Sequence, residues 1–94
     1  MTRISNKDCG RYVTARTPFQ GSNLKGVWEG NNYIVYSYDW YPLYVWECES
    51  GLWYENNDKY SVSTTRQKNN SRPNSPTVIK THNELKDIFG IAGL

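Results

Sequence analysis

The chain has 94 residues, a net charge of +2 and 15 % aromatic residues. This length predicts one domain spanning residues 1–94, whose single small core cannot hold every ring, so some Trp and Tyr side chains should lie on a binding surface. No apolar run approaches the roughly 20 residues of a membrane-spanning helix, and residues 1–10 lack the apolar region of a secretory signal. We therefore expect a cytoplasmic protein without membrane contact and with two reduced thiols, Cys9 in a turn or tail and Cys48 in the core.

In chain order, residues 1–10 are expected to form a loose lead-in, followed by the short β-like pattern RYVTAR and a loop at 17–23. Four segments then have strand composition, and Gly, Asn or Ser-Gly turns separate most of them. These segments are 24–29, 33–38, 43–49 and 52–55, with a loop predicted at 39–42. Such short connections predict an antiparallel meander.

The second half of the chain is more polar. Residues 60–65 are a candidate further strand, 66–76 a polar loop that does not pack, and 77–81 a short strand or extended arm. Thr81 and Glu84 have capping-box spacing, and Leu85, Ile88 and Phe89 follow as one apolar stripe before Gly90, a natural helix stop. The predicted fold class is therefore α+β, a small antiparallel β-meander of three to five strands with a C-terminal helix.

Charge is distributed unevenly along the chain. Residues 29–58 contain six acids and no Lys or Arg, whereas residues 59–83 contain five basic residues and no acid. The two signs either neutralise each other within the fold or steer a charged partner.

The sequence offers little for catalysis. His82 is the one histidine and falls in the predicted capping box, Glu47 and Glu49 share a strand face as solubilising acids, and the two cysteines and His82 lack metal-ligand spacing. No Gly-rich phosphate loop occurs. We expect no enzymatic activity, no cofactor and no metal site.

Binding is the remaining class of function, and two surfaces are candidates for it. The first combines acids, rings and hydroxyls and would dock on a protein; it comprises Trp40, Tyr41, Glu47, Glu49, Trp53, Tyr54, Glu55, Tyr60, Thr64 and Thr65. The second is a basic, hydroxyl-rich segment at 60–72 that would hold single-stranded nucleic acid through Arg66, Lys68 and Arg72. The acids among the aromatic residues would repel phosphate, and the same hydroxyls and cations could instead form local turns or be solvated.

Several motifs together resemble a family of small proteins encoded by bacteriophages and prophages. The resemblance covers about residues 11–94 and rests on Phe19, SNL at 22–24, YIVYSY at 33–38, PL at 42–43, WYEN at 53–56, DKYS at 58–61, TT at 64–65, RP at 72–73 and GIAGL at 90–94. It implies a phage accessory protein of the bacterial cytoplasm and supplies no catalytic residues. Family members tend to carry a histidine shortly after the paired threonines, where this chain has RQK at 66–68, which lowers any enzymatic interpretation further.

The sequence thus predicts a non-enzymatic inhibitor that docks on a host defence complex, of CRISPR type, through protein contact. Reversing the charges of Glu47, Glu49 and Glu55 should then abolish binding without unfolding the domain. A single-strand nucleic-acid binder is the alternative function, and self-association through a sheet edge or an aromatic face is a third possibility.

The nucleic-acid alternative has a direct test. Neutralising Arg66, Lys68 and Arg72 together should weaken the binding of a single-stranded oligonucleotide, because each cation that contacts a phosphate releases counterions. Band shifts over a salt series measure this, and the absence of any shift at low salt with micromolar protein would eliminate the alternative.

Overall fold

A computed structural model of the chain describes residues 2–5, 8–21, 23–38, 41–58 and 71–90. These residues form one mixed sheet of seven strands and two short helices. The strands are β1 (Thr2–Arg3), β2 (Phe19–Gln20), β3 (Leu24–Glu29), β4 (Asn32–Ser37), β5 (Tyr41–Glu47), β6 (Leu52–Asn56) and β7 (Thr77–Lys80); the helices are α1 (Cys9–Thr14) and α2 (His82–Phe89). The predicted α+β class, with a meander and a C-terminal helix, is confirmed, but the strand count exceeds three to five.

The strands lie in the sheet in chain order. Neighbours from β2 to β6 are antiparallel, whereas β1 pairs with β2 and β7 pairs with β6 in parallel. Gly30 (φ 63°) and Gly51 (φ 69°) lie in the two tight hairpin turns, where a left-handed backbone favours glycine. The loop predicted at 39–42 is wrong in part, since Tyr41 and Pro42 belong to β5, opposite a β-bulge between Val35 and Tyr36.

The sheet is buried on both faces because one helix covers each. The α1 face buries Cys9 and Val13 of the helix against Phe19, Leu24, Tyr33, Val35, Tyr41, Leu43, Tyr44 and Trp53. The α2 face is smaller and packs Leu85 against Ile34, Tyr36 and Val45, with Val27, Tyr54 and Phe89 half-buried around them. Successive residues of β4 enter different cores, and so do Tyr44 and Val45 of β5, whereas Leu43 lies at the register shift and joins Tyr44 in the α1 core. Burial on both faces explains why these strands are continuously apolar.

The N-terminal region differs most from expectation. The predicted lead-in at 1–10 contains β1 and the start of α1, and the β-like pattern RYVTAR lies largely in a helix. Cys9 and Val13 are four residues apart, so they share a helix face and are completely buried. Both cysteine predictions were wrong: Cys9 is a core residue, and Cys48 is exposed in the turn after β5.

The C-terminal helix follows its sequence signals closely. The Thr81 hydroxyl accepts a hydrogen bond from the Glu84 N–H (3.2 Å), and the Glu84 carboxylate accepts one from the Thr81 N–H (2.9 Å), so the capping box is present. Gly90 ends the helix with a left-handed φ of 58°. The apolar stripe is only partly confirmed, because Leu85 is buried while Ile88 is 48 % exposed.

The loop predicted at 66–76 falls partly outside the described residues. Within the described part, Ser71 and Pro73 are buried, so this stretch packs despite its polar composition. The Asn74 N–H donates to the Thr14 hydroxyl (3.0 Å), which ties the approach to β7 to the end of α1. The prediction that these residues do not pack was therefore wrong for 71–74.

Gly26 provides a test of this packing, because the space above it is filled by Tyr33 and Phe19. A Cβ placed there would overlap the Tyr33 hydroxyl and the Phe19 ring. We expect Gly26→Ala to lower the free energy of unfolding by about 3 kcal/mol, through overpacking of a buried site. Gly30→Ala meets open space, and its left-handed φ should cost only about 1–2 kcal/mol. Urea denaturation compares the two variants, and an equal cost would contradict the close packing at Gly26.

Candidate functional site

An acidic row crosses one end of the sheet where the two hairpin turns meet. Strand register places Glu29 of β3 opposite Asn32 of β4, and Asn32 opposite Glu47 of β5. Side chains in one row across a sheet point to the same face. Val27 and Val45, which alternate in phase with the two glutamates, lie in the α2 core, so the row points toward α2.

The C-terminal end of α2 completes this row into an open groove of about 620 Å³, which we call the acidic groove. Its lining comprises Glu29, Gly30, Asn31, Asn32, Glu47, Cys48, Glu49, Ile88 and Phe89. Three carboxylates thus surround the exposed side chain of Ile88 and one edge of the α2 core. Among the residues that the structure describes, neither Lys nor Arg lines this groove, so its described lining carries negative charge.

Hydrogen bonds orient two of the three carboxylates. The Tyr36 hydroxyl donates to Glu29 (2.6 Å), and the Ser50 hydroxyl donates to Glu47 (2.6 Å). Burial raises the pKa of Tyr36, and its hydrogen bond to Glu29 and that residue's charge raise it further, so the phenol stays a donor at neutral pH. Glu49 is exposed in the turn. The groove therefore holds two positioned carboxylates and one on its rim.

The two thiols have opposite environments. Burial, and to a smaller degree the charge of Asp8, raises the pKa of Cys9 to about 11, so this thiol stays protonated at neutral pH and packs as a small apolar side chain. Cys48 lies in the acidic groove, and its backbone N–H donates to the Asn31 carbonyl (3.3 Å), which joins the two hairpin turns. The turn containing Cys48 is thus held beside the turn of β3–β4.

The structure divides the residues predicted for protein docking. Glu47 and Glu49 line the acidic groove, and Tyr54 lies half-buried beneath it with its ring 5.3 Å from that of Phe89. Tyr41, Trp53 and Glu55 are only 4–6 % exposed. These three side chains cannot serve as docking anchors, because the residues that cover them fill the space a partner would need.

Glu55 is instead the centre of a buried polar network. One of its oxygens, Oε1, accepts from the Arg72 guanidinium (3.0 Å) and from the Thr77 hydroxyl (2.7 Å). The same guanidinium lies 5.9 Å from the Tyr44 ring centre. Arg72 therefore has a structural role that ties the segment before β7 to β6, and its predicted role in contacting phosphate stays a prediction. Reversing the charge of Glu55 would disrupt the fold and could not report on binding alone.

The remaining candidates fall outside the described residues. They are Trp40, Tyr60, Thr64, Thr65, Arg66 and Lys68, together with the candidate strand at 60–65. Their roles in docking or in nucleic-acid binding stay predictions.

His82 occupies a structural junction at the opposite end of β5 and β6 from the acidic groove. Its ring stacks on Tyr41 with a 4.7 Å centroid separation and a 7° interplanar angle. Asn56 Nδ2 donates to the Pro42 carbonyl (2.8 Å) and lies 3.3 Å from His82 Nδ1, while the backbone N–H of His82 donates to Asp58. These contacts fix the start of α2 against the sheet, and they involve more than the exposed first-turn position expected from the sequence.

Sequence reasoning missed Glu29, Asn32 and Ile88. A signal for the first two existed, because pairing the predicted hairpins around their turns puts Glu29, Asn32 and Glu47 in one row. Ile88 was assigned to the core because its spacing from Leu85 fits one helix face. The face that α2 buries against the sheet is narrower than the apolar stripe of Leu85, Ile88 and Phe89, since Ile88 is exposed.

Comparisons with known proteins add no functional assignment, since no protein-family model, no curated protein and no solved structure matches the chain. Among the residues that the structure describes, no three His, Cys, Asp or Glu side chains are grouped as a metal site would require. Within the same residues, no helix has the length and apolar character to cross a membrane.

The Glu55 network predicts unequal effects for two arginine variants. Arg72→Met should lower the free energy of unfolding by about 2–3 kcal/mol, because it leaves the buried Glu55 carboxylate without its charged partner. Arg11→Met, which removes an exposed pair with Asp8 at 3.9 Å, should change it by less than about 0.5 kcal/mol. Urea denaturation measures both variants.

A double-mutant cycle distinguishes the contribution of the Glu55–Arg72 ion pair to stability from the contribution of packing. Glu55→Gln should cost less in the Arg72→Met background than in the wild-type chain, since the neutral amide needs no cation and can still accept from Thr77. Additive costs in this cycle would contradict the network.

Proposed function

We propose that this chain is a non-enzymatic binding protein whose acidic groove receives a basic segment of a partner protein. The observation that carries the proposal is the clustering of Glu29, Glu47 and Glu49 around an exposed Ile88, in a lining whose described residues include no Lys or Arg. Carboxylates on the groove wall would pair with Lys or Arg, and Ile88 with the Phe89 edge would cover the aliphatic part of such a side chain.

The hydrogen bonds within the groove support a binding role. Glu29 and Glu47 are held by Tyr36 and Ser50, so less side-chain entropy is lost when a partner cation binds. Tyr36 is in turn buried in the α2 core, which makes the position of Glu29 a property of the folded sheet. Such preorganisation favours a specific contact over diffuse charge attraction.

The class of partner comes from the resemblance to small phage and prophage proteins. Proteins of that kind commonly act by blocking host machinery, so we propose that the partner is a host defence complex of CRISPR type in the bacterial cytoplasm. Such complexes hold nucleic acid in positively charged channels, and an acidic groove would complement surfaces of that sign.

The test removes charge while retaining the hydrogen bonds. In the triple variant Glu29→Gln, Glu47→Gln, Glu49→Gln, the amide oxygens at 29 and 47 can still accept from Tyr36 and Ser50, and position 49 is exposed, so the unfolding midpoint in urea should stay close to wild type. Affinity capture from nuclease-treated host lysate, followed by quantitative mass spectrometry, should show recovery of the partner reduced roughly ten-fold or more, with the loss larger at low salt.

The single variant Glu49→Gln should also lower recovery of the partner, and Asp8→Asn is its matched control. Each removes one acidic charge, but Asp8 lies beside α1, on the other face of the sheet from the acidic groove. The control should retain full recovery. Equal recovery of the partner by wild type and triple variant would refute the proposal. If the wild-type chain captures material from untreated lysate but none from nuclease-treated lysate, nucleic acid is the partner instead.

A further inference from the structure

Arg16 lies in a turn after α1 that is tied to the sheet at several points. Its carbonyl accepts a hydrogen bond from the Trp28 indole N–H (3.2 Å), and the next carbonyl, that of Thr17, accepts one from the Tyr33 hydroxyl (2.7 Å). The Arg16 backbone is left-handed, with φ of 54°. Because Asn or Gly adopts a left-handed backbone at a lower conformational free energy, the arginine at this position destabilises the turn slightly.

The turn places the Arg16 guanidinium on an indole. Its central carbon lies 4.3 Å from the Trp46 ring centre, a close cation–π contact. Arg11 and Arg72 each pair with a carboxylate, whereas no carboxylate in the described part of the chain forms an ion pair with Arg16. A guanidinium stacked on one face still has its N–H edges available for bonds in its own plane.

The stacked guanidinium borders a second open groove, of about 450 Å³, which we call the arginine groove. The other lining residues are Trp46, Gly51, Leu52, Trp53, Ser75 and Pro76. Among the described residues that line this groove, Arg16 is the only charged one, and Leu52 is 46 % exposed there. One cation beside an apolar wall selects a ligand with one negative group next to an apolar one.

We propose that the arginine groove binds an acidic peptide segment of a partner, with a Glu or Asp carboxylate paired to Arg16 and the neighbouring apolar side chain on Leu52 and Pro76. Charge complementarity sets the sign of the ligand. The volume falls in the range of roughly 300–1,000 Å³ typical of ligand clefts. This site is separate from the acidic groove and does not depend on the function proposed for it.

Nucleic acid fits the arginine groove less well than a peptide does. Binding of single strands depends on several phosphate contacts and on ring faces free to stack on bases. The described lining contains one cation, the guanidinium lies over a face of Trp46, and Trp53 is only 4 % exposed. An acidic peptide needs only one cation and an apolar surface, and both are present.

The test uses two blocked hexapeptides, Gly-Leu-Glu-Leu-Glu-Gly and its twin with Gln in place of Glu. Titration into the ¹⁵N-labelled full chain, followed through the indole N–H signals, should give saturable shifts at Trp46 and Trp53 with the Glu peptide and none with the Gln peptide. Arg16→Asn tolerates the left-handed turn and should bind the Glu peptide about ten-fold more weakly or not at all. Arg11→Gln makes the same change in net charge and should bind as wild type.

Four results would overturn the proposal. The Glu peptide could give no saturable shift up to ~10 mM, or the Gln peptide could give equal shifts. Arg16→Asn could leave binding unchanged, or oligo-dT or inorganic phosphate could bind more tightly at the same indoles. A spectrum of Arg16→Asn that keeps the wild-type dispersion shows that the variant is folded and that its loss of binding is local.

Discussion

The packing of Tyr33 at the centre of an aromatic row is the interaction on which the rest of this small sheet depends. Trp28, Tyr33, Trp46 and Trp53 lie directly opposite one another on β3, β4, β5 and β6. The Tyr33 ring makes edge contacts with Trp28 and Trp53 at 5.5 and 6.2 Å, and its hydroxyl fixes the turn that follows α1. One side chain thus joins four strands to the helix that covers them, which compensates for the scarcity of aliphatic residues.

That row also determines where glycine is needed and where charge is placed. Gly26 leaves room for the Tyr33 ring, and the hydroxyl reaches the backbone only because no Cβ stands between them. The turn held by Tyr33 carries Arg16, whose guanidinium then stacks on Trp46. Core packing on the α1 face therefore positions Arg16 at the edge of the arginine groove.

The elements that could be predicted from the sequence are those whose signals are local. The β3–β4 and β5–β6 hairpins have Gly at the turn and strand-forming residues on both sides, and α2 has a capping box followed by a glycine stop. Helix α1 was not predicted, because Tyr12, Val13 and Thr14 have high strand propensity. The helix is favoured instead by a tertiary effect, the burial of its Val13 side chain against the sheet. The parallel pairing of β7 with β6 also lacks a local signal, since long connections do not specify their partner strand.

The candidate site was predictable only in part, for a related reason. Alternation showed which residues share a face, but not what covers that face. Alternation therefore does not distinguish Glu47 from Glu55, although Glu55 is buried under Arg72 and Thr77 while Glu47 borders a groove. The abundance of rings predicts exposed anchors at Trp53 and Tyr41, yet both side chains fill the larger core. Burial of this kind depends on both helices, and only one of them was recognised.

The two grooves lie on either side of the same hairpin tip, and strand alternation makes this arrangement unavoidable. Glu47 and Trp46 are neighbours on β5, so one must face α2 and the other α1. The tip of β5–β6 therefore presents carboxylates on one side and a guanidinium with an apolar wall on the other. A flat partner surface could contact only one of these sides, whereas a cleft that admits the tip could contact both and would need a basic wall opposite an acidic one. Charge of both signs on the partner would then fix the orientation of the hairpin, since insertion with the faces exchanged would oppose like charges on both walls.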